Sequence, residues 1–217
     1  MPLITTDALI LRTYALGESD RIVVFLTRDR GKKRGVAKNA RQSRRRFGGA
    51  LEPMTCGRVT YRERERRELV FLQDIAPTHS PLRIPTNYRD GDALGHVSYF
   101  AELIDEWAPD NDANETLYRL GVSVVEALTA GVAVEPLARY FEFWLLRLQG
   151  VYEADLGASA GARAFLDAAR ACSPGGLQGV AVSAAVLREL EAAHRAKIAM
   201  HLEKDLKSAR VLREMRR

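Results

Sequence analysis

Residues 22–46 read IVVFLTRDRGKKRGVAKNARQSRRR and join an apolar segment to a dense run of positive charge. Residues 22–26 are large, apolar and mostly β-branched, which is typical of a buried strand. Between Arg28 and Arg46 the single acidic residue is Asp29. A basic run laid over a short strand and its loop suits a polyanion, because each phosphate that it neutralises releases a condensed counterion. The stretch therefore predicts a strand and loop that bind nucleic acid.

Segments typical of short strands lie on both sides of this stretch. Five of them fall within the first 80 residues, separated by glycine turns and without a long helical pattern. They cover residues 8–13, 21–27, 33–38, 58–62 and 69–72. Five short strands suit a small barrel, and the oligonucleotide-binding (OB) fold is the economical five-stranded choice. We therefore predict a five-stranded OB-type β-barrel over residues 1–80.

Beyond Pro85 the apolar residues recur every three or four positions, which is the spacing of helices. The predicted helical segments are residues 94–108, 117–128, 137–148, 162–171 and 187–212. Asn114 or Asp112 is suited to cap the second of them, and Ser183 the last. We therefore predict an all-helical domain over residues 81–217, so that the chain is an α+β protein of two domains.

The charge of the chain is arranged in three blocks within a net charge of +5. Residues 1–80 hold 17 basic and 9 acidic side chains, residues 81–160 hold 5 and 13, and residues 161–217 hold 11 and 6. A molecule polarised in this way is expected to bind its polyanion with a basic block and to present a different surface elsewhere. The acidic block is either a solubilising face or a docking face for a protein.

Motifs of catalysis and of cofactor binding are missing from the sequence. It holds no GxxxxGK[ST] phosphate loop, no GxGxxG turn and no GxSxG elbow. Cys56 and Cys172 form no CxxC pair, and His194 and His201 lack a third ligand nearby. We therefore expect no enzyme activity, no cofactor, no bound metal and no small-molecule substrate.

No uninterrupted apolar stretch approaches the roughly 20 residues that span a bilayer. The first residues also lack the basic and apolar regions of a secretory signal. We therefore expect a cytoplasmic protein that contacts no membrane.

Several segments, taken together with their spacing, resemble the bacterial RecO family of recombination mediators. The matching segments are LILR at residues 9–12, GESDRIV at 17–23, FLT at 25–27, GVAKNAR at 35–41, HL at 201–202 and LKSAR at 206–210. The family pattern also has a basic loop with a serine, here Ser43. The resemblance therefore brackets nearly the whole chain.

The resemblance implies an OB domain followed by a helical domain that together bind single- and double-stranded DNA and anneal complementary strands. It further implies that the protein acts with RecR to help load RecA onto DNA coated by single-strand binding protein (SSB), without using a nucleotide. The partners that it implies are DNA, RecR and the acidic C-terminal tail of SSB.

One segment departs from the pattern of that family. Many RecO proteins carry a zinc module of two CxxC pairs inserted in the helical domain. The corresponding region here, around residues 155–182, retains only Cys172. The resemblance therefore implies a degenerate zinc module that binds no zinc.

The expected DNA-binding surface tracks phosphates and leaves the bases free to pair, because aromatic residues are scarce in the basic segment. Its members are Arg12, Arg21, Arg28, Arg30, Lys32, Lys33, Arg34, Lys38, Arg41, Arg44, Arg45 and Arg46. Two alternatives remain open. One is an OB-fold RNA-binding factor, which would recognise 2′-hydroxyls, and the other is a metabolic enzyme with a helical domain.

Overall fold

The structure is a computed structural model, and it describes residues 2–63, 68–85, 90–152 and 157–215. Contacts between backbone segments divide the chain into two compact units. The first unit comprises Met1–Arg83 and Val97–Val125, and the second comprises Ile84–His96 and Glu126–Arg217. The domain boundary predicted between residues 80 and 81 stays a prediction.

Strands of the first unit close into a five-stranded barrel. The strands are β1 (Leu3–Leu16), β2 (Asp20–Thr27), β3 (Gly31–Ala37), β4 (Cys56–Arg62) and β5 (Leu69–His79). Around the barrel they follow the order β1-β2-β3-β5-β4. Strands β3 and β5 pair in parallel, and the other neighbours pair antiparallel. The predicted five-stranded OB-type barrel is confirmed.

Strand β5 runs further than the sequence predicts. The sequence predicts a strand over residues 69–72, yet β5 continues through Pro77 to His79. It pairs with β3 only over residues 69–72 and beyond that only with β4. A proline is tolerated where a strand has one free edge, because its missing N–H then costs no ladder hydrogen bond.

Alternate side chains of the strands fill the interior of the barrel. Val23 and Phe25 of β2 belong to this core together with Tyr61 of β4, and the rings of Phe25 and Tyr61 meet edge to face at 5.7 Å. Burial is the main reason why the pKa of Tyr61 is raised to about 12. Because successive residues of a strand point to opposite faces, Ile22 and Val24 lie on the outside of β2.

The turn between β2 and β3 packs tightly against residues 109–112 of the same unit. The Lys32 N–H donates to the Pro109 carbonyl at 3.1 Å, and the Asn111 N–H donates to the Lys32 carbonyl at 3.0 Å. Gly31 has a φ of +70°, and a Cβ added there would overlap the backbone of Asp112. Only glycine therefore fits both the left-handed backbone and the close approach.

Helices account for most of the chain after the barrel. They are α1 (Arg44–Phe47), α2 (Asp90–Trp107), α3 (Glu115–Thr129), α4 (Val134–Leu148), α5 (Ala160–Ala171), α6 (Ala184–Leu202) and α7 (Lys207–Met215). Two 3₁₀ turns cover Pro81–Arg83 and Pro174–Gly179. The predicted order of a barrel followed by helices is confirmed.

Two predicted helix caps are present in the structure, whereas two other predictions about the helical segments are wrong. Asn114, not Asp112, accepts the Leu117 N–H at 3.0 Å at the start of α3, and Ser183 accepts the Val186 N–H at 3.3 Å at the start of α6. The last predicted helix is broken, because Glu203 adopts a left-handed φ of +52° between α6 and α7. Helix α1 lies in a segment that the sequence predicted as loop.

A buried charge cluster joins α4 to α6 within the second unit. The Glu142 carboxylate lies 3.1 Å from Arg139 Nη2 and 3.0 Å from His194 Nδ1. These three residues are at most 4% exposed. Glu142 therefore compensates a buried guanidinium and fixes the His194 ring at the same time.

Glu142→Gln should lower the free energy of unfolding of the second unit by about 3 kcal/mol, because it leaves the buried Arg139 charge with the more distant Glu191 carboxylate at 3.9 Å. Glu135→Gln, at an exposed position in the first turn of the same helix, should cost about 1 kcal/mol or less. Urea unfolding followed by circular dichroism measures both changes. Equal losses in the two variants would contradict a structural role for the cluster.

Gly31→Ala should destabilise the first unit by about 3 kcal/mol or more, since it combines backbone strain with overlap against Asp112. Gly17→Ala is the matched control, with a φ of +61° and no atom of the described residues within 4 Å of an added Cβ. It should cost only about 1–2 kcal/mol of left-handed strain. Thermal and urea unfolding of both variants test this, and a Gly31→Ala protein as stable as Gly17→Ala would refute the packing argument.

Candidate nucleic-acid interface

The outer face of the barrel carries a row of apolar side chains that crosses four strands. The strand registers place Tyr14 of β1 opposite Ile22 of β2, Ile22 opposite Val36 of β3, and Val36 opposite Phe71 of β5. We call these four residues the aromatic row. Tyr14 is 47% exposed, and the other three are half-buried. The row is therefore an apolar stripe that is open to solvent at its Tyr14 end.

A second row of side chains lies on the same face, two residues away from the first row on each strand, and it includes two arginines. Arg12 lies opposite Val24, Val24 opposite Arg34, and Arg34 opposite Leu69. We call these four residues the arginine row. A groove of about 420 Å³ is lined by members of both rows, among them Tyr14, and by residues of α2. The barrel face thus combines apolar surface with positive charge in one concave site.

Arg12 is held by three carboxylates from α2. Its guanidinium lies 2.8 Å from Asp105, 3.4 Å from Glu106 and 3.7 Å from Glu102. The side chain is 29% exposed. Arg12 is therefore brought next to the predicted surface, but its charge is already compensated within the unit.

Lys32 is turned away from solvent and packs against the same helix. Its Nζ donates to the Asp105 carbonyl at 2.6 Å and lies 3.3 Å from the Asp105 carboxylate and 3.6 Å from that of Asp110. Its side chain is 9% exposed. This lysine consequently acts as a structural contact between β3 and residues 105–110.

Four more of the predicted residues each face one carboxylate. The pairs are Arg28 with Glu115 at 2.7 Å, Arg30 with Asp29 at 3.7 Å, Lys33 with Glu63 at 2.7 Å, and Arg34 with Asp110 at 3.8 Å. The Lys33 side chain is only 11% exposed, whereas those of the three arginines are about half exposed. Exposed pairs of this kind are weak, so these arginines remain able to exchange a carboxylate for a phosphate.

Residues 38–46, the basic loop, carry charges of another kind. Arg41 donates to the Glu18 carbonyl at 3.1 Å, and Arg46 donates to the Lys38 carbonyl at 2.8 Å while its guanidinium lies 5.0 Å from the centre of the Phe47 ring. Lys38 and Arg41 are exposed. Backbone carbonyls orient Arg41 and Arg46, and no carboxylate of the described residues pairs with either, so both side chains keep their positive charge.

The remaining predicted residues are Arg21, Arg44 and Arg45. Arg21 lies in β2 between Ala15 and Ala37 and is half-buried. Arg44 and Arg45 begin α1 within the basic loop, and their side chains lie outside the described part of the structure. The twelve predicted residues therefore divide into a carboxylate-paired set on the barrel and a set in or beside the basic loop.

Sequence reasoning missed the aromatic row. A continuous apolar run such as residues 22–26 indicates a strand with both faces apolar, but it does not indicate what covers the outer face. The useful signal is the alternation of β3, in which Gly35 and Ala37 point inward and Val36 therefore points outward. Together with Tyr14 it marks an apolar stripe on the outside of a small barrel.

The described residues contain neither a cluster of metal ligands nor a helix that could cross a membrane. Within residues 2–63, 68–85, 90–152 and 157–215, no group of three or more His, Cys, Asp or Glu side chains is placed to hold a metal ion. Cys172 lies in the region that corresponds to the zinc module, around residues 155–182, and burial raises the pKa of its thiol. Residues 155 and 156 of that region lie outside the described residues. In the same residues, no helix has both the length and the apolar character needed to cross a membrane.

The fold and this surface define an OB-type barrel with a basic outer face, followed by helices. Comparison with known proteins identifies the family. Residues 1–81 match the family model described as Recombination protein O N terminal, and residues 88–154 match Recombination protein O C terminal. The chain belongs to the RecO family. The predicted membership in a family of DNA recombination and repair mediators, rather than in an enzyme family, is confirmed by these matches.

Similar proteins of other bacteria are named DNA repair protein RecO. The chain is 46% identical over 145 residues to the protein of Koribacter versatilis, and 38% identical over 174 residues to that of Geobacter sulfurreducens. It is 38% identical over 156 residues to that of an Anaeromyxobacter species. These alignments cover 67%, 80% and 70% of this chain, and 58%, 70% and 58% of the relatives. The chain thus spans well under the full length of these proteins.

Asp105→Asn should lower the free energy of unfolding by about 2–3 kcal/mol, because it removes the carboxylate shared by Arg12 and Lys32. The matched control is Asp110→Asn, which removes the charge of a half-exposed carboxylate and should lower the free energy of unfolding by about 1 kcal/mol or less. Denaturant unfolding at low and high salt measures both. A loss at Asp105 no larger than that at Asp110 would contradict the structural assignment of Arg12 and Lys32.

Proposed function

We propose that this protein is a DNA-binding recombination mediator that binds single- and double-stranded DNA and anneals complementary strands. The observation that carries the proposal is the basic loop, in which Arg41 and Arg46 donate to backbone carbonyls and pair with no carboxylate of the described residues. Its position beside an OB-type barrel face in a RecO-family chain supports the same reading. OB folds bind oligonucleotides on this face and its loops.

The phosphate contacts are assigned by the state of each charge. Arg21 and the basic loop supply the main contacts, and the half-exposed Arg28, Arg30 and Arg34 extend them. Arg12, Lys32 and Lys33 contribute long-range attraction only, because moving their charges onto a phosphate would leave carboxylates uncompensated. Electrostatic binding of this kind is independent of base sequence.

Annealing follows from neutralising two backbones on one surface. Two complementary strands repel each other through their phosphates, and a basic loop that contacts both lowers that repulsion. The bases must stay free to pair, which fits a site whose charged part carries few aromatic residues. No nucleotide or chemical step enters this mechanism.

The protein partners that we propose are RecR and the acidic C-terminal tail of SSB. With them the protein would help to load RecA onto SSB-coated single strands, acting at the nucleoid. Family membership supports this part of the proposal, and the relatives are named as DNA repair proteins. Assembly of RecA filaments on SSB-coated DNA, with and without RecR, measures it directly.

The test is the rate at which two complementary fluorescent oligonucleotides form a duplex, without nucleotide or metal. The variant Lys38→Ala/Arg41→Ala should slow annealing and weaken binding several-fold, and should reduce the slope of log K against log salt on single strands by about 1.4. Arg58→Ala is the control, since Arg58 is an exposed arginine on β4 that faces Asp7 at 3.6 Å.

Each outcome bears on the proposal. Annealing by the wild-type protein that is lost in the double variant and kept in Arg58→Ala supports the assigned surface. Equal effects in both variants would show a diffuse charge effect and contradict it. Absence of DNA binding, or tighter binding of RNA than of DNA of the same sequence, would overturn the proposal.

A further inference from the structure

The aromatic row is an unusual surface for the outside of a barrel. The row is open to solvent at its Tyr14 end, since Tyr14 is 47% exposed. Leu69 in the adjoining arginine row is 39% exposed. Between them Ile22 and Phe71 are half-buried. A solvated sheet face would carry polar residues at these positions, so the stripe suits a flat apolar ligand.

Positive charge flanks this stripe in the direction of the strands. Arg34 lies two residues before Val36, about 7 Å away along β3, and Lys38 is the first residue after β3, two positions beyond Val36. Both side chains are exposed. Flat apolar surface between two cations is complementary to a base with the phosphates that precede and follow it.

The carboxylates around the groove limit how a strand can lie on it. Asp105 and Glu106 line the groove beside the arginine row but are engaged with Arg12. Asp20, which lies two residues before Ile22 on β2 and opposite Leu16, accepts the Asn39 N–H at 2.8 Å. Asp105 and Glu106 disfavour phosphates beyond Arg34 on the α2 side, so a strand is favoured from Arg34 toward Lys38 and the basic loop.

We infer that Tyr14, supported by Ile22 and Phe71, is a stacking platform for a base of single-stranded DNA, with Arg34 and Lys38 on the adjacent phosphates. This inference rests on the proposed function and adds to it a preference for single-stranded over double-stranded DNA. A base inside a duplex has both faces stacked already and cannot use the platform, so this face prefers single strands. One stacking position anchors a strand while its other bases stay available for pairing.

The experiment compares Tyr14→Ala, Tyr14→Phe and the wild type on three DNA ligands. The ligands are a single-stranded oligonucleotide, a duplex of the same length, and a single strand with abasic sites. Leu3→Ala is the matched control, because Leu3 is a 54% exposed apolar residue at the other end of β1. Circular dichroism and thermal unfolding check that all variants are folded.

Tyr14→Ala should weaken binding of the single strand about five- to a hundredfold, and leave the affinities for duplex and for the abasic strand unchanged. Tyr14→Phe and Leu3→Ala should match the wild type. The salt dependence should not change, since no phosphate contact is lost. A 2-aminopurine base in the single strand should be quenched by the wild type and not by Tyr14→Ala.

Equal losses on single strand, duplex and abasic strand, or no loss at all, would overturn the stacking platform. Those results leave the proposed function intact as long as the wild type binds DNA and Lys38→Ala/Arg41→Ala weakens that binding. A wild-type protein that binds none of the three ligands would instead overturn the proposed function, and the platform with it.

Discussion

The carboxylate of Asp105 forms ion pairs with two strands of the barrel, with Arg12 of β1 at 2.8 Å and with Lys32 of β3 at 3.3 Å. Lys32 is almost fully buried there, so its charge is stable only because this carboxylate and a backbone carbonyl surround it. The contact fixes β1 and β3 against the carboxyl-terminal half of α2. It also removes two cations from the surface on which the remaining basic residues lie.

These contacts determine which charges remain on the barrel face. On the α2 side the groove is lined by Asp105 and Glu106, and at the other end of β3 the chain continues into the basic loop. Between these two ends lies an apolar row that a solvated barrel would not need. Carboxylates, the exposed Tyr14 ring and cations therefore occur in a fixed order across four strands. This order gives the surface a direction that a uniformly basic surface would lack.

Local patterns in the sequence were enough to predict the five strands and most helices, because alternation and three-to-four spacing reflect which face is buried. The pairing of charges was not predictable, since Asp105 lies 73 residues from Lys32. The aromatic row was missed because the run at residues 22–26 is apolar on both faces. The break at Glu203 was missed because a non-glycine residue with positive φ leaves no compositional signal.

The first unit is discontinuous in sequence, since it takes in residues 97–125 as well as the barrel. During synthesis the strands leave the ribosome well before Asp105, at roughly 5–20 residues per second. Until then the nascent barrel carries Arg12, Arg28, Lys32 and Arg34 without the carboxylates of Asp105, Asp110 and Glu115 that later pair with them. The growing chain is thus most attractive to the polyanions around it, ribosomal RNA included, before its own helix arrives to mask part of that charge.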